Sequence, residues 1–178
     1  AMAAVCDVRD REKINAFVNA AKERFGGIDI LVNNAGGSAG LLGKLTPFVE
    51  AEPETIDFVL DVNIKGSFNC AHAVLPSMIE KRWGKIINIS SIAAVCGLKK
   101  RVDYAAAKAA MIGMARALTL EVGQYNICVN CVSPGAIARD GNTCSHYLTI
   151  AIITSIKSVF EPSVRIYKSI SCISHLGI

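Results

Sequence analysis

Three side chains in the middle of the chain have the types and spacing of a proton-transfer site. Ser91 lies thirteen residues before Tyr104, and Lys108 follows the tyrosine by four. Residues four apart on a helix share one face, so we expect Tyr104 and Lys108 to point the same way. A phenol, with an ordinary pKa of about 10, donates a proton poorly at neutral pH, and a nearby ammonium favours its ionised form.

A serine hydroxyl from a neighbouring strand end could hold a carbonyl oxygen against that phenol. The three groups together would suit reduction of a ketone or oxidation of an alcohol. A tyrosine and a lysine four apart also occur by chance in many helices, so the pair alone leaves both interpretations open.

The composition is typical of a single globular domain. The 178 residues are 52% hydrophobic and 19% charged, with a net charge of +4. The basic run Lys99-Lys100-Arg101 is too short to indicate nucleic-acid binding. No apolar run has the length of a membrane span, and no secretory signal is evident. The chain has seven cysteines, an odd number, so we expect no disulfide framework. We therefore expect a reduced, cytoplasmic setting.

Apolar periodicity predicts helices that alternate with buried strands. Helices are expected over 10–25, 54–63, 66–82 and 103–122, and strands at IDILV, KIINIS and NICVNCVS. This alternation indicates an α/β fold with a parallel sheet covered on both faces. Ligands of such sheets bind at the carboxyl ends of the strands. Polar or turn residues follow three of these strands, at 33–36, 90–91 and 134–135.

Five motifs occur in the order and spacing of a known family. They are NNAG at 33–36, DVNIKGSF at 61–68, GKIINISS at 84–91, YAAAK at 104–108 and VNCVSPGAI at 129–137. Together they resemble the short-chain dehydrogenase/reductase family, in particular its ketoacyl-reductase-like members. The resemblance implies a Rossmann-like doubly wound parallel sheet. It also implies hydride transfer between NAD or NADP and a carbonyl or secondary alcohol.

The resemblance assigns a catalytic role to four residues. Tyr104 matches the general acid/base, and Lys108 matches the residue that binds the nicotinamide ribose and lowers the tyrosine pKa. Ser91, rather than Ser90, matches the serine that orients the carbonyl, because it has the family's separation from the tyrosine. Asn63 matches the asparagine that anchors a water in the proton relay.

The same resemblance implies a set of cofactor-binding residues. Asp7 and Val8 would flank the adenine, three residues after the next strand would line the adenosine, and three near the last strand would cradle the nicotinamide. With the tyrosine and lysine, the set is Asp7, Val8, Asn33, Ala35, Gly36, Tyr104, Lys108, Pro134, Gly135 and Ile137.

Two departures from the family pattern shape the expected domain organisation. The glycine-rich turn that holds the cofactor pyrophosphate, with its first βαβ unit, has no counterpart in the sequence. We therefore expect an incomplete sheet with an open strand edge beside IDILV, and no indication of NAD or NADP preference. After residue 139 the family pattern stops and the last strand is not recognisable. We divide the chain into a partial Rossmann domain at 1–139 and an atypical tail at 140–178.

Other functions remain open at the level of the sequence. The chain could be a non-catalytic partner of a full-length relative, because helices 66–82 and 103–122 correspond to the family's dimer interface. A homodimer or homotetramer through these helices is expected for the enzyme as well. A product with no stable fold is a third possibility. Cys128 and Cys131 form a C-x-x-C, but residues three apart in a strand face opposite sides, so we predict no metal site there.

Overall fold

The helices and strands alternate along the chain in a computed structural model that describes residues 1–135, 151–153 and 169–171. The α-helices of these residues are α1 (Arg11–Phe25), α2 (Pro53–Leu60), α3 (Gly66–Lys81), α4 (Ala93–Cys96) and α5 (Val102–Val122). The strands are β1 (Ile30–Asn33), β2 (Gly84–Ile89), β3 (Ile127–Ser133), β4 (Ala151–Ile153) and β5 (Ser169–Ser171). Short 3-10 turns cover Ala39–Leu42, Phe48–Glu50 and Gly123–Tyr125.

The strands form one sheet in the order β4-β3-β2-β1-β5. The three strands predicted from the sequence, β1, β2 and β3, are parallel neighbours, which confirms the α/β fold class. β5 pairs in parallel with β1, whereas β4 pairs antiparallel with β3. Both of these outer strands come from the segment after residue 139.

The expectation of an open edge beside IDILV is wrong. Residues 30–32 of β1 pair with residues 169–171, so the edge is occupied by backbone from the tail. A strand edge carries unpaired N–H and C=O groups whatever its side chains are, so a three-residue segment with no strong strand pattern can pair with it.

The core lies between one face of the sheet and the long helices. Leu31, Ile86 and Val129 project from β1, β2 and β3 into a cluster that also contains residues of α1, α3 and α5. Alternate strand residues face the other way, and Ile87 and Val132 are only half-buried there. The helix at α1 begins at the predicted cap, where the Asp10 carboxylate accepts hydrogen bonds from two backbone N–H groups.

The second and third predicted helices are continuous. A five-residue π-helical turn, Asp61–Lys65, joins α2 to α3, and Leu60 and Gly66 on either side keep helical dihedral angles. The helix ends at Lys81, before Gly84, because Arg82 adopts a left-handed conformation that closes it. No helix among the described residues is long and apolar enough to cross a membrane.

Candidate active site

Lys108 is a buried cation at the carboxyl end of β2. It lies two turns into α5, only 5% of its surface is exposed, and its Nζ donates a 2.8 Å hydrogen bond to the backbone oxygen of Ile89. Removal of the ammonium from water lowers its pKa from 10.5 to about 8. The side chain is therefore held in one place and exchanges a proton closer to neutrality than an exposed lysine does.

Tyr104 lies one turn before Lys108 on α5, as the spacing predicts. The Lys108 Nζ is 5.6 Å from the centroid of the Tyr104 ring. The backbone N–H of the tyrosine donates to the Asp103 carboxylate at 2.7 Å, within the first turn of the helix. The structure thus brings the phenol ring and the ammonium together on one face of the helix. Tyr104 itself is half-buried.

The two consecutive serines after β2 have different partners. The Ser90 hydroxyl is buried and donates a 2.7 Å hydrogen bond to the backbone oxygen of Lys108, so it fastens the strand to α5. The Ser91 hydroxyl is half-buried and accepts a 3.1 Å hydrogen bond from the Ala93 N–H. Ser91 therefore keeps its own hydroxyl proton for another acceptor, whereas Ser90 has committed its proton to the fold.

Asn63 holds the loop after β1 from inside the π-helical turn. Its Oδ1 accepts from the Gly37 N–H at 3.2 Å, and its Nδ2 donates to the Gly37 and Val59 oxygens, both at 2.8 Å. The side chain is 1% exposed. A π-helical turn widens the helix and often marks a functional position. Here it directs an amide at the loop that follows β1.

Gly36 lies between this amide and Lys108. Its φ is +154°, and a Cβ at this position would overlap the Asn63 Oδ1 and come within 3.3 Å of the Lys108 Nζ. Only a residue without a side chain fits here. Asn63, Gly36 and Lys108 therefore lie in one tightly packed group, with Tyr104 beside Lys108. Ala35, also predicted to line the cofactor, is buried next to Gly36.

Asn33 is engaged in holding the sheet together. Its Nδ2 donates to the Asn88 Oδ1 at 2.9 Å and approaches the Ser67 oxygen at 3.4 Å. Sequence reasoning missed Asn88, the fifth of the six residues of β2, which has none of its surface exposed. A polar residue inside an isoleucine-rich strand was the available signal. Among the buried side-chain atoms that the structure describes, the Asn88 Nδ2 and the Ser133 Oγ have no hydrogen-bond partner.

Asp7 and Val8 lie ahead of α1. The Arg9 guanidinium donates hydrogen bonds from two of its nitrogens to the Asp7 carboxylate. These bonds hold the pKa of Asp7 below its ordinary value. Val8 is buried, and its backbone oxygen accepts a 3.1 Å hydrogen bond from Asn69. A Cβ on Gly66 would approach the Val8 Cγ2 at 2.5 Å, so α3 packs directly on this residue.

Of the three residues predicted to cradle the nicotinamide, the structure describes two. The Pro134 oxygen accepts a 2.9 Å hydrogen bond from the Ile92 N–H, which ties the end of β3 to the segment that carries Ser91. Gly135 follows at the last described position of this segment, and Ile137 lies outside the described residues. The site residues predicted in the loops after β2 and β3 thus lie at the same edge of the sheet.

The C-x-x-C of β3 divides between the two faces of the sheet. Cys131 is fully buried against the helices, where burial raises the pKa of its thiol, and Cys128 is half-buried on the opposite face. No group of three metal-binding side chains occurs in the described part of the chain.

The family model and the similar proteins agree on one family. The family model described as short chain dehydrogenase matches residues 1–145. A subunit of a CoA-ester dehydrogenase, (2S)-((R)-hydroxy(phenyl)methyl)succinyl-CoA dehydrogenase subunit BbsD of Thauera aromatica, is 43% identical over 137 residues, which are 76% of this chain and 52% of the relative.

Two solved structures have the same fold. An NAD+-bound xylitol dehydrogenase superposes with a TM-score of 0.72 at 34% identity, covering 76% of this chain and 51% of its own. A gluconate 5-dehydrogenase from Burkholderia cenocepacia, in complex with NADP and tartrate, gives 0.71 at 34% identity, covering 79% and 53%. The chain spans about half the length of the relatives that it matches.

Proposed function

This chain belongs to the short-chain dehydrogenase family, and we propose that it carries the catalytic half of an NAD- or NADP-dependent oxidoreductase. Its substrate would be a carbonyl compound or a secondary alcohol. The observation that supports this most directly is the buried Lys108 ammonium, fixed on the Ile89 oxygen 5.6 Å from the Tyr104 ring. Burial of a charged group costs free energy, and buried charges beside reactive groups are typical of functional sites.

Each catalytic residue has a contact that suits its proposed role. Tyr104 exchanges a proton with the substrate oxygen, and the neighbouring Lys108 charge stabilises the phenolate that results. Ser91 donates its free hydroxyl proton to the same substrate oxygen. Asn63 has its amide occupied by Gly37 and Val59, so its part in a proton relay would run through its backbone oxygen, which accepts from the Ser67 hydroxyl at 2.9 Å.

The residues present fit a dinucleotide at the carboxyl ends of the strands. Gly36 offers backbone with no side chain next to Lys108, which allows a ribose to approach closely. Ala35, Asn33, Asp7 and Val8 would line the adenosine side, and Pro134, Gly135 and Ile137 the nicotinamide side. When bound, the nicotinamide supplies or accepts the hydride, and the chain's own residues orient the substrate and move the proton.

Titration of the full chain with NADH and with NADPH tests this proposal. Quenching of Trp83 fluorescence or calorimetry should give saturable binding of at least one of the two cofactors. Lys108→Ala should weaken that binding, whereas Lys99→Ala, on the surface, should not. Linear, non-saturable signals with both cofactors from a folded chain would rule out the enzyme proposal.

We also propose self-association through helices 66–82 and 103–122, as a dimer or tetramer. Leu120 on α5 is 86% exposed and Phe68 on α3 is 48% exposed, so both helices present large apolar side chains on their outer faces. The same surfaces support the alternative of a non-catalytic partner of a full-length relative. Cofactor binding separates the two, because only the enzyme requires it. A cytoplasmic setting suits the thiols of Cys96 and Cys128, which form no disulfide.

A further inference from the structure

A lysine–cysteine pair lies on the sheet face opposite the candidate active site. Lys85 and Cys128 are directly paired residues of β2 and β3, and the Lys85 Nζ is 2.9 Å from the Cys128 Sγ. Both side chains are half-buried, and the Lys85 Nζ is also 5.6 Å from the centroid of the Trp83 ring. Each is the second residue of its strand, whereas Lys108 and Ser91 lie at the other strand ends.

The sheet register places these two residues side by side. Six consecutive residues of β2 pair with six of β3, and Lys85 and Cys128 form the second of these pairs. Neighbouring parallel strands run about 4.8 Å apart, so the Cβ atoms of paired residues on one face stay close while the sheet is intact. The Lys85 amine is therefore always within reach of the sulfur, and the structure shows the two atoms in contact.

We propose that Lys85 and Cys128 form a peroxide-driven, thiol-reversible covalent cross-link between β2 and β3. The Cys128 thiolate attacks one oxygen of hydrogen peroxide, the O–O bond breaks, and a sulfenic acid and hydroxide result. The hydroxide takes the extra proton of the Lys85 ammonium and leaves as the first water. The Lys85 amine then attacks the sulfur, an N–S bond forms, the S–O bond breaks, and a second water leaves.

The sulfur is oxidised by two electrons and the peroxide is reduced to water. A sulfenic acid is known to condense with a thiol or with a nitrogen, and here the nitrogen is the nearest nucleophile on the strand pair. The thiolate is the reactive form of cysteine. A dithiol attacks the N–S bond and restores both side chains. The site does not involve Tyr104 or Lys108, so this chemistry is independent of the proposed hydride transfer.

Cys131 provides an internal comparison on the same strand. It is fully buried on the other face, and the nearby Lys108 Nζ donates to the Ile89 oxygen. Peroxide should therefore modify Cys128 and leave Cys131 reduced.

Mass spectrometry of the peroxide-treated full chain tests the cross-link. The exposed Cys96 is first replaced by Ser, because a Cys96–Cys128 disulfide would join the same two tryptic peptides. The expected product is peptide 83–99, uncleaved at Lys85, joined to peptide 117–139 with the loss of two hydrogen atoms. Dithiothreitol should release both peptides at their original masses.

Lys85→Arg is the matched variant, because it keeps a cation beside the sulfur and removes the amine. It should give a dimedone-trapped sulfenic acid at Cys128 and no joined peptides. Circular dichroism of this variant tests whether it is folded. The proposal is wrong if the Cys96→Ser chain gives the sulfenic acid without the cross-link, a joined product that retains oxygen, or no reaction at Cys128.

Discussion

Lys108 is a buried charge whose position is fixed by a hydrogen bond. Its ammonium is almost fully buried, which costs free energy, and its position is fixed by a hydrogen bond to the Ile89 oxygen. Ser90 reinforces the arrangement by donating to the Lys108 oxygen, so the helix and strand are joined at both ends of this residue. The site is thus preorganised by the chain itself.

Replacement of Tyr104 by Phe tests the proton donor. The substitution removes one oxygen and leaves the Lys108 contacts in place, so turnover should fall by about 10²- to 10⁴-fold while the dissociation constant of the nicotinamide cofactor stays within about twofold. Steady-state kinetics and cofactor titration measure the two quantities. Tyr125→Phe, outside the site, is the matched control. Unchanged turnover in Tyr104→Phe would show that another group donates the proton.

The buried lysine also predicts a pH dependence of stability. The pKa of Lys108 is about 8 in the folded chain and 10.5 in the unfolded chain. Between these values the unfolded chain binds more protons, so the free energy of unfolding should rise with pH, by an amount on the order of 3 kcal/mol. Below pH 8 both states are protonated and the full cost of burial is present.

Urea denaturation at several pH values from 7 to about 10.5 measures this rise. Lys108→Met removes the ammonium, so its stability should lack this component, and the difference between the two chains isolates it from the other titrating groups. Parallel pH profiles for the wild-type chain and the variant would contradict the assignment of a low pKa to Lys108.

At the scale of elements, the close approach of the loop after β1 to the π-helical turn is the most constrained feature of the site. Asn63 binds both backbone polar groups of Gly37, and Gly36 fits only because it has no side chain. The loop, the π-helical turn and α5 therefore meet at one point, and a change there alters the positions of Asn63 and Lys108 together.

Gly36→Ala should destabilise the chain by about 1–3 kcal/mol, because a Cβ at this φ is strained and overlaps the Asn63 amide. Gly113→Ala is the matched control on α5, where nothing lies within 4 Å of an added Cβ and the helix propensity of alanine should stabilise the chain by about 1 kcal/mol. Chemical denaturation measures both. Equal effects of the two substitutions would contradict the tight packing at Gly36.

Much of this arrangement could be predicted from local sequence patterns. The four-residue spacing of Tyr104 and Lys108 is a direct consequence of helix geometry, and the Asp10 cap and the three parallel strands follow from residue types and apolar runs. The π-helical turn could not be predicted, since one widened turn leaves no periodic mark. The Asn33–Asn88 and Lys85–Cys128 contacts depend on the alignment of separate strands, which no single segment encodes.

At the scale of the whole molecule, segments from after residue 139 pair with both edges of the central three strands. The tail contributes β5 to the edge of β1 and β4 to the edge of β3, so segments far apart in sequence flank the three central strands. Three paired residues at each edge are a short contact compared with the six between β2 and β3. The division of the chain at residue 139 stays a prediction.

The long helices carry the last prediction. α5 has buried residues on one side, including Met111 and Ala115, yet Leu120 on its outer side is 86% exposed. An apolar side chain exposed on a helix that is apolar nearly all round is typical of an interface. Leu120→Arg places a charge there that cannot be buried without a partner, so it should shift the molar mass in solution from dimer or tetramer towards monomer.

Size-exclusion chromatography with light scattering measures the shift. Val49→Arg is the matched control, because Val49 is also apolar and 90% exposed but lies in the 3-10 turn Phe48–Glu50. This turn is near the start of α5, whereas Leu120 is near the end of that helix. It should leave the molar mass unchanged. If the wild-type chain is a monomer at all concentrations, or if both variants behave alike, the outer face of α5 is not the interface. The exposed leucine would then be a surface residue without a partner in this chain's own assembly.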